Sequence, residues 1–211
     1  MTRKGVGPIA LVGAGGHAKV VISTLQALEI EVGAVFDDDP RKWRTTLLGV
    51  EVRGPVSELT EAGYRAAIIT IGNNGVRERL STELKNLEWL TAIHPLAYVH
   101  PTAQVAEGSV VFAGAVIQPD VVIGSHVIVN TGATVDHDCV LGDYAHLAPG
   151  THLAGGVRVG RGAFLGIGAV VIPYRRVGDW ATIGAGGVVI KDVNDNITAV
   201  GVPAAPVKRE L

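Results

Sequence analysis

From Val99 onward, every sixth residue of this 211-residue chain is Val, Ile or Leu, through sixteen positions that end at Val189. Two residues earlier in each unit, from Ala97 to Gly187, the series is small or β-branched, with Arg175 as the exception. One large and one small inward position per six residues describe one side of a triangular coil, a short strand followed by a tight turn. Three units close one coil, so residues eighteen apart in sequence stack and the aliphatic side chains form an inner column. The count runs unbroken from about residue 96 to residue 191, which leaves no room for a long inserted loop. A parallel β-helix of just over five coils is therefore expected in the second half of the chain.

Composition fits such a packing. Hydrophobic residues make up 47% of the chain and aromatics only 5%, with 28 glycines, so the core is built from small and aliphatic side chains. The net charge of -2 and the lack of a long basic run exclude nucleic acid or an anionic membrane as the main partner. Cys139 is the single cysteine, which rules out an internal disulfide and suits a reducing cytoplasm. It falls in the small inward series and reads as a buried core thiol, not a nucleophile. The start, Met1-Thr2-Arg3-Lys4-Gly5 followed by a short apolar strand, is too short for a signal peptide or a membrane span.

Residues 8 to 93 follow another pattern. Ile9-Ala10-Leu11-Val12, Val32 to Phe36 and Ala67 to Ile71 read as strands, with helices from Val20 to Leu28 and from about Val76 to Asn86. Strands alternating with helices imply a small parallel sheet, a Rossmann-like α/β domain over 1–93 ahead of a β-helix domain over 94–211. The glycine-rich turn Gly13-Ala14-Gly15-Gly16-His17-Ala18-Lys19 opens a helix directly after a strand, where backbone N–H groups and the helix dipole can hold an anion. Asp37 lies at a distance suited to a ribose hydroxyl. The domain is about half of a full dinucleotide fold, so one nucleotide fits better than NAD. The alternative is a tight turn that only packs helix on strand.

In the coil, His137 holds the last place of its six-residue unit, off the inner column, with Asp136 and Asp138 on either side. A carboxylate on one ring nitrogen fixes the tautomer and raises the basicity of the other, as a general base near neutral pH requires. A solvated corner histidine with ordinary acidic neighbours reads equally well from the residues. His146 and His152 are six apart and do not stack. A zinc site of His126, His137, His146 and His152 matches no common ligand spacing, so no metal is expected.

The glycine turn, the Phe36-Asp37-Asp38 strand end, the Ile71-Gly72-Asn73-Asn74 turn, the Val135-Asp136-His137-Asp138-Cys139 segment and the closing Gly201-Val202-Pro203-Ala204 come in an order that resembles the bacterial sugar acyltransferases of the PglD and NeuD type. The resemblance covers nearly the whole chain. It gives the coil its hand, since hexapeptide repeats of this kind are left-handed β-helices. It implies a homotrimer that uses acetyl-CoA, with active sites between subunits and the small domain holding a nucleotide-linked sugar. Under the resemblance His137 matches the base and Asp138 the acid that raises its basicity, where PglD has a glutamate. His146, Ile167 and Ala185 match acetyl-CoA contacts. Gly16, His17, Ala18, Asp37, Asp38 and Gly72 match nucleotide-sugar contacts, and Asn130 matches the sugar end of the site.

The function expected is N-acetylation of a nucleotide-linked 4-amino sugar by direct transfer, with a backbone N–H or the His146 side chain steadying the oxyanion. The alternatives are O-acetylation of a sialic acid-type hydroxyl, a non-catalytic nucleotide-sugar binder, and an NAD-dependent oxidoreductase. The last fails on domain size and leaves the β-helix without a role.

Overall fold

The computed structural model describes residues 8–207. The reading of Met1 to Gly5 and the last four residues of the tail lie outside them. The N-terminal part is a six-stranded sheet of β1 (Ile9–Val12), β2 (Val32–Phe36), β3 (Thr46–Leu47), β4 (Val50–Arg53), β5 (Ala66–Ile69) and β6 (Glu88–Trp89), with helices α1 (Gly16–Ala27) and α2 (Asn74–Glu83). Its order is β3-β4-β2-β1-β5-β6, parallel except for the β3–β4 hairpin. The chain steps from β1 through α1 to one side and from β5 through α2 to the other. The order therefore reverses between β1 and β5, and in open parallel sheets that reversal opens a crevice at the carboxyl ends of the strands. The glycine turn and the Ile71–Asn74 turn form its two lips.

β1 shows why the sheet sits where it does. Ile9 and Leu11 pack with Val21, Ile22 and Leu25 of α1, while Ala10 and Val12 pack on the opposite side with Phe36, Leu59 and Leu80. A strand buried on both faces reads as a continuous apolar run, as Ile-Ala-Leu-Val does. The first cluster continues into Ala92, Val110, Phe112 and Ile128 of the coil. The domain is thus seated on one face of the solenoid, where each large aliphatic or aromatic residue taken from water contributes about 1.5–3 kcal/mol.

The solenoid starts with β7 (Ala92–Ile93), which pairs with the strand at Val110–Val111. Two-residue strands then recur every six residues and stack in parallel on three faces. The first face runs Ala92, Val110, Ile128, His146, Phe164, Thr182; the second runs Tyr98, Val116, Thr134, His152, Val170, Val188; the third runs Gln104, Val122, Val140, Arg158, Arg176. The eighteen-residue stacking is unbroken until Arg176. It then shortens to sixteen, with Val177 bridging Val193 and Thr182 pairing Thr198. The two inward columns form one core from Val111 to Ala199, Cys139 included. Arg175 does not distort the ladder: its carbonyl still accepts the Arg158 N–H, and its side chain turns outward toward Asp192, 3.7 Å away.

Each corner needs one residue with positive φ. That residue recurs every sixth position, from Gly108 to Gly186. The corner between first and second faces uses only glycine, at 114, 132, 150, 168 and 186. The other corners mix glycine with side chains there: Asp120, Asp138 and Tyr174 with Gly156 on one, and His126, Tyr144 and Trp180 with Gly108 and Gly162 on the other. A side chain in this conformation costs roughly 1 kcal/mol or more. Asp138, the neighbour of His137, is one of the residues held in it.

Candidate active site

The crevice is held by hydrogen bonds that sequence alone did not show. Asp37 at the end of β2 takes the Ala14 N–H at 2.6 Å and the Lys42 ammonium at 2.9 Å on one oxygen, and the Asp39 N–H at 2.9 Å on the other. Burial pushes its carboxyl up, but these donors outweigh burial and hold it below the usual carboxylate range. Both oxygens thus have protein donors, and Asp37 orders the loop beside the crevice. Asp38 is exposed and accepts the Val56 N–H. The start of α1 has Gly15 as its cap and no side chain closing it, and Gly16 is exposed beside it. Its free amides and the positive end of the dipole are open to an anion. Ala18 is fully buried behind them.

His17 follows on α1. Its ring packs edge-on against Phe112 and lies 6.3 Å from the ring of His146, which rises from the first face of the solenoid. The Nε2 of His17 is buried without a protein partner. Burial, followed by the charge of Arg77, lowers its pKa to about 4. His146 is lowered to about 4 by burial first and Arg77 second. Its Nδ1 lies 3.2 Å from the Gly72 carbonyl, and its Nε2 lies 3.5 Å from the Asn130 amide nitrogen. A carbonyl can only accept, so Nδ1 carries the proton and Nε2 is bare. This corrects one expectation: a neutral His146 in this tautomer accepts a hydrogen bond at Nε2 and cannot donate one to an oxyanion. The Asn130 amide N–H is the side-chain donor beside it.

His17, Gly72, Asn130 and His146 therefore meet where the crevice closes on the first face. Ile167 and Ala185 stand one above the other, exposed, beside the glycines of the next corner, with the Gly186 N–H donating to the Ile167 carbonyl. His137 and Asp138 lie elsewhere. They sit at the corner between the second and third faces, which in a triangular coil is opposite the first face. The Nδ1 of His137 is 2.7 Å from an Asp138 oxygen, and its backbone N–H donates to Asp136. The Asp138 hydrogen bond raises its pKa above the ordinary histidine value of 6.5, against an opposing effect of burial and with help from the Asp136 charge. Nε2 is left free and exposed, the arrangement a general base needs. Cys139 is buried and its thiol is pushed up to about 11, chiefly by burial, so it offers no nucleophile. The four histidines considered for zinc are spread over two corners and two faces, and among the described residues no three His, Cys, Asp or Glu side chains are grouped for a metal.

Sequence reasoning missed Gly155, although the eighteen-residue rule points to it. Gly155 stacks over His137, and a Cβ built on it would lie 2.6 Å from both Cε1 and Nε2 of the ring. Its backbone is not in the left-handed region, so Gly155→Ala is tolerated by the main chain and must push the imidazole aside. The expected result is about a ten- to hundredfold loss of turnover with little change in melting temperature. Normal turnover in this variant would show that the ring position is not critical. Arg77, read only as part of a polar helix, was also missed, and its periodicity carries no signal.

The sequence matches the family model of the PglD N-terminal domain over residues 8–84 and that of the bacterial transferase hexapeptide, six repeats, over residues 120–155. PerB from Caulobacter crescentus, solved with CoA and GDP-perosamine, is 44% identical over 96% of this chain and 98% of its own, with a TM-score of 0.92. Variants of the Caulobacter enzyme, described as a perosamine N-acetyltransferase, with one histidine changed to asparagine or alanine superpose with the same score. The acetyltransferase domain of PglB from Neisseria gonorrhoeae, solved with acetyl coenzyme A, is 37% identical over 96% of this chain and all of its own, with a TM-score of 0.89. An uncharacterized protein of Acanthamoeba polyphaga mimivirus is 36% identical over 90 residues, 43% of this chain but only 18% of that protein. The hexapeptide solenoid and these likenesses along nearly the whole chain place it among the hexapeptide acyltransferases. This chain belongs to the PglD-type sugar acetyltransferase family. No helix of the described residues is long and apolar enough to cross a membrane.

Proposed function

We propose that the protein is an acetyl-CoA-dependent N-acetyltransferase that modifies the amino group of a nucleotide-linked 4-amino sugar. The observation that carries the reading is the His137–Asp138 pair, with Nδ1 engaged and Nε2 free. The similar enzyme solved with CoA and GDP-perosamine supports the choice of substrates. In this reading residues 1–93 hold the nucleotide sugar, its phosphates at the start of α1 near Gly16, and residues 94–211 carry the chemistry.

The sugar amine attacks the thioester carbonyl carbon, forming the C–N bond as its proton passes to Nε2 of His137. The tetrahedral oxyanion is steadied by a backbone N–H or by the Asn130 amide. Collapse breaks the C–S bond, and the thiolate leaves with the proton returned from His137. Direct transfer is favoured because Cys139 is buried and protonated. The separation of His137 from His17 and His146 supports a site shared between neighbouring copies, in a closed ring of three. His146, Ile167 and Ala185 of one copy would line the acetyl-CoA groove beside the base of the next.

The test is incubation with acetyl-CoA and a panel of UDP-, GDP- and TDP-linked 4-amino sugars, starting with GDP-perosamine, read by release of free thiol. Thiol release stoichiometric with an amide product is expected. Release only with hydroxyl acceptors, or binding without release, would overturn the reading.

A further inference from the structure

Arg77 is the largest fully buried side chain among the described residues, 1% exposed. All of its hydrogen bonds go to neutral oxygens. Nε donates to the His126 carbonyl at 2.8 Å, Nη2 to the Tyr144 carbonyl at 2.6 Å and to Asn74 Oδ1 at 3.0 Å, and Nη1 to the carbonyls of Ile71 at 3.0 Å and Gly72 at 3.3 Å. A buried cation without a carboxylate partner is costly. Packing a helix on a solenoid does not call for one, since Leu or Met fills the same space. The planar fork does what neither can. It joins two successive corner residues of the solenoid, His126 and Tyr144, to the turn that forms one lip of the crevice.

The Gly72 carbonyl that Arg77 holds is also the partner of His146 Nδ1. We propose that Arg77 is a positioning residue for acetyl transfer: by fixing the Gly72 carbonyl against Nδ1, it makes His146 present a bare, accepting Nε2 to the substrates. The proposal rests on the acetyltransferase reading for its purpose but not for its geometry. The titratable or charged groups that face His146 are Arg77 from α2 and His17 from α1. Its neighbours on the solenoid face, Ile128 and Phe164, are apolar, and Asn130 is neutral. After burial, the Arg77 charge is the next cause of the lowered pKa of His17, His126 and His146 alike. Arg77 itself is lowered by burial to about 10 and keeps its charge at neutral pH.

The test reads the imidazole directly, by long-range proton–nitrogen correlation on protein labelled with 15N-histidine, with His146 assigned from His146→Asn. In the unaltered protein His146 should be a single tautomer protonated at Nδ1 and should not titrate above about pH 5. The Arg77 Nε–H should exchange slowly and show scalar coupling to the His126 carbonyl. An Nε2-protonated ring, or a freely exchanging Arg77 Nε–H, overturns the proposal even if no variant folds. Arg77→Lys keeps the charge but not the fork, and should scramble the tautomer while kcat falls about tenfold or more. Arg77→Met should in addition move the His146 titration upward. An unchanged His146 spectrum in both variants, or a scrambled tautomer with unchanged kcat, overturns it. Absence of acetyl transfer by the unaltered protein would instead sink the acetyltransferase reading, while the spectra would still decide whether Arg77 sets the tautomer.

Discussion

His137→Ala should lower turnover about a hundredfold or more, the loss expected when a positioned general base is removed, with little change in the binding of either substrate. The ring is no part of the core: it is half exposed and bonded to the neighbouring Asp138, and it is the backbone N–H of the residue, not the ring, that reaches Asp136. Stability should therefore hardly move. The pH dependence gives a second reading of the same role. Protonated imidazole cannot accept the amine proton, so kcat should fall as pH drops through the pKa of His137, which lies above the ordinary histidine value. Asp138→Asn removes the main cause of that rise. The acid limb should then shift to lower pH and the plateau should fall, because the weaker base accepts a proton less readily and Nδ1 has lost its acidic partner. Steady-state rates from about pH 5 to 9 for both variants, a range spanning the titration of a histidine, decide the matter. Near-normal turnover in His137→Ala would remove the base from the mechanism, and an unmoved acid limb in Asp138→Asn would assign the titration to another group.

Much of this architecture was legible because repetition makes side-chain direction a counting problem. The series through Val99 and Ala97 predicted the inward columns, and the same count placed His137 at a corner. The hand of the coil was not in the spacing and came only from resemblance. Arg175 illustrates the limit in the other direction: a count reports where a Cα falls, but a long side chain can turn outward while its backbone keeps the ladder. The crevice was legible in part. The glycine turn and the strand ends announced it, but the use of Asp37 depended on Ala14 arriving from the glycine turn and on the fold of its own loop, which brings Lys42 back to it. The tautomer of His146 depended on a carbonyl 74 residues away, and no local pattern encodes such a partner. Arg77 was illegible for the same reason, since its acceptors are mostly main-chain oxygens that every residue possesses. The residues carried over by resemblance to one active site lie on opposite sides of the solenoid, which only the fold could reveal.

That separation makes a second prediction with a large effect. In the proposed reading one chain carries a ligand-holding half, His17, Gly72, Asn130 and His146, where the α/β domain meets the first face, and a chemical half, His137 and Asp138, at the corner opposite. The continuous ladders that join the coils between these residues hold them apart. If neighbouring copies share sites in a closed ring, every copy lends its base to the next, a heterologous contact that closes. Two inactive parents should then rescue each other. His137→Ala lacks the base but keeps an intact crevice, while the double variant His17→Ala, His146→Ala keeps the base. Dissociated and reassembled together in equal amounts, they should recover about a quarter of the unaltered activity, because half of the crevices are intact and half of those face an intact base. Each parent alone, carried through the same cycle, should stay at its own residual rate. A site contained within one chain gives no recovery at any mixing ratio, because no single chain in the mixture is whole. Recovery near a quarter would fix His137 of one copy and the His17–His146 crevice of another in the same site, a placement that the family resemblance implies and that one copy of the chain does not contain.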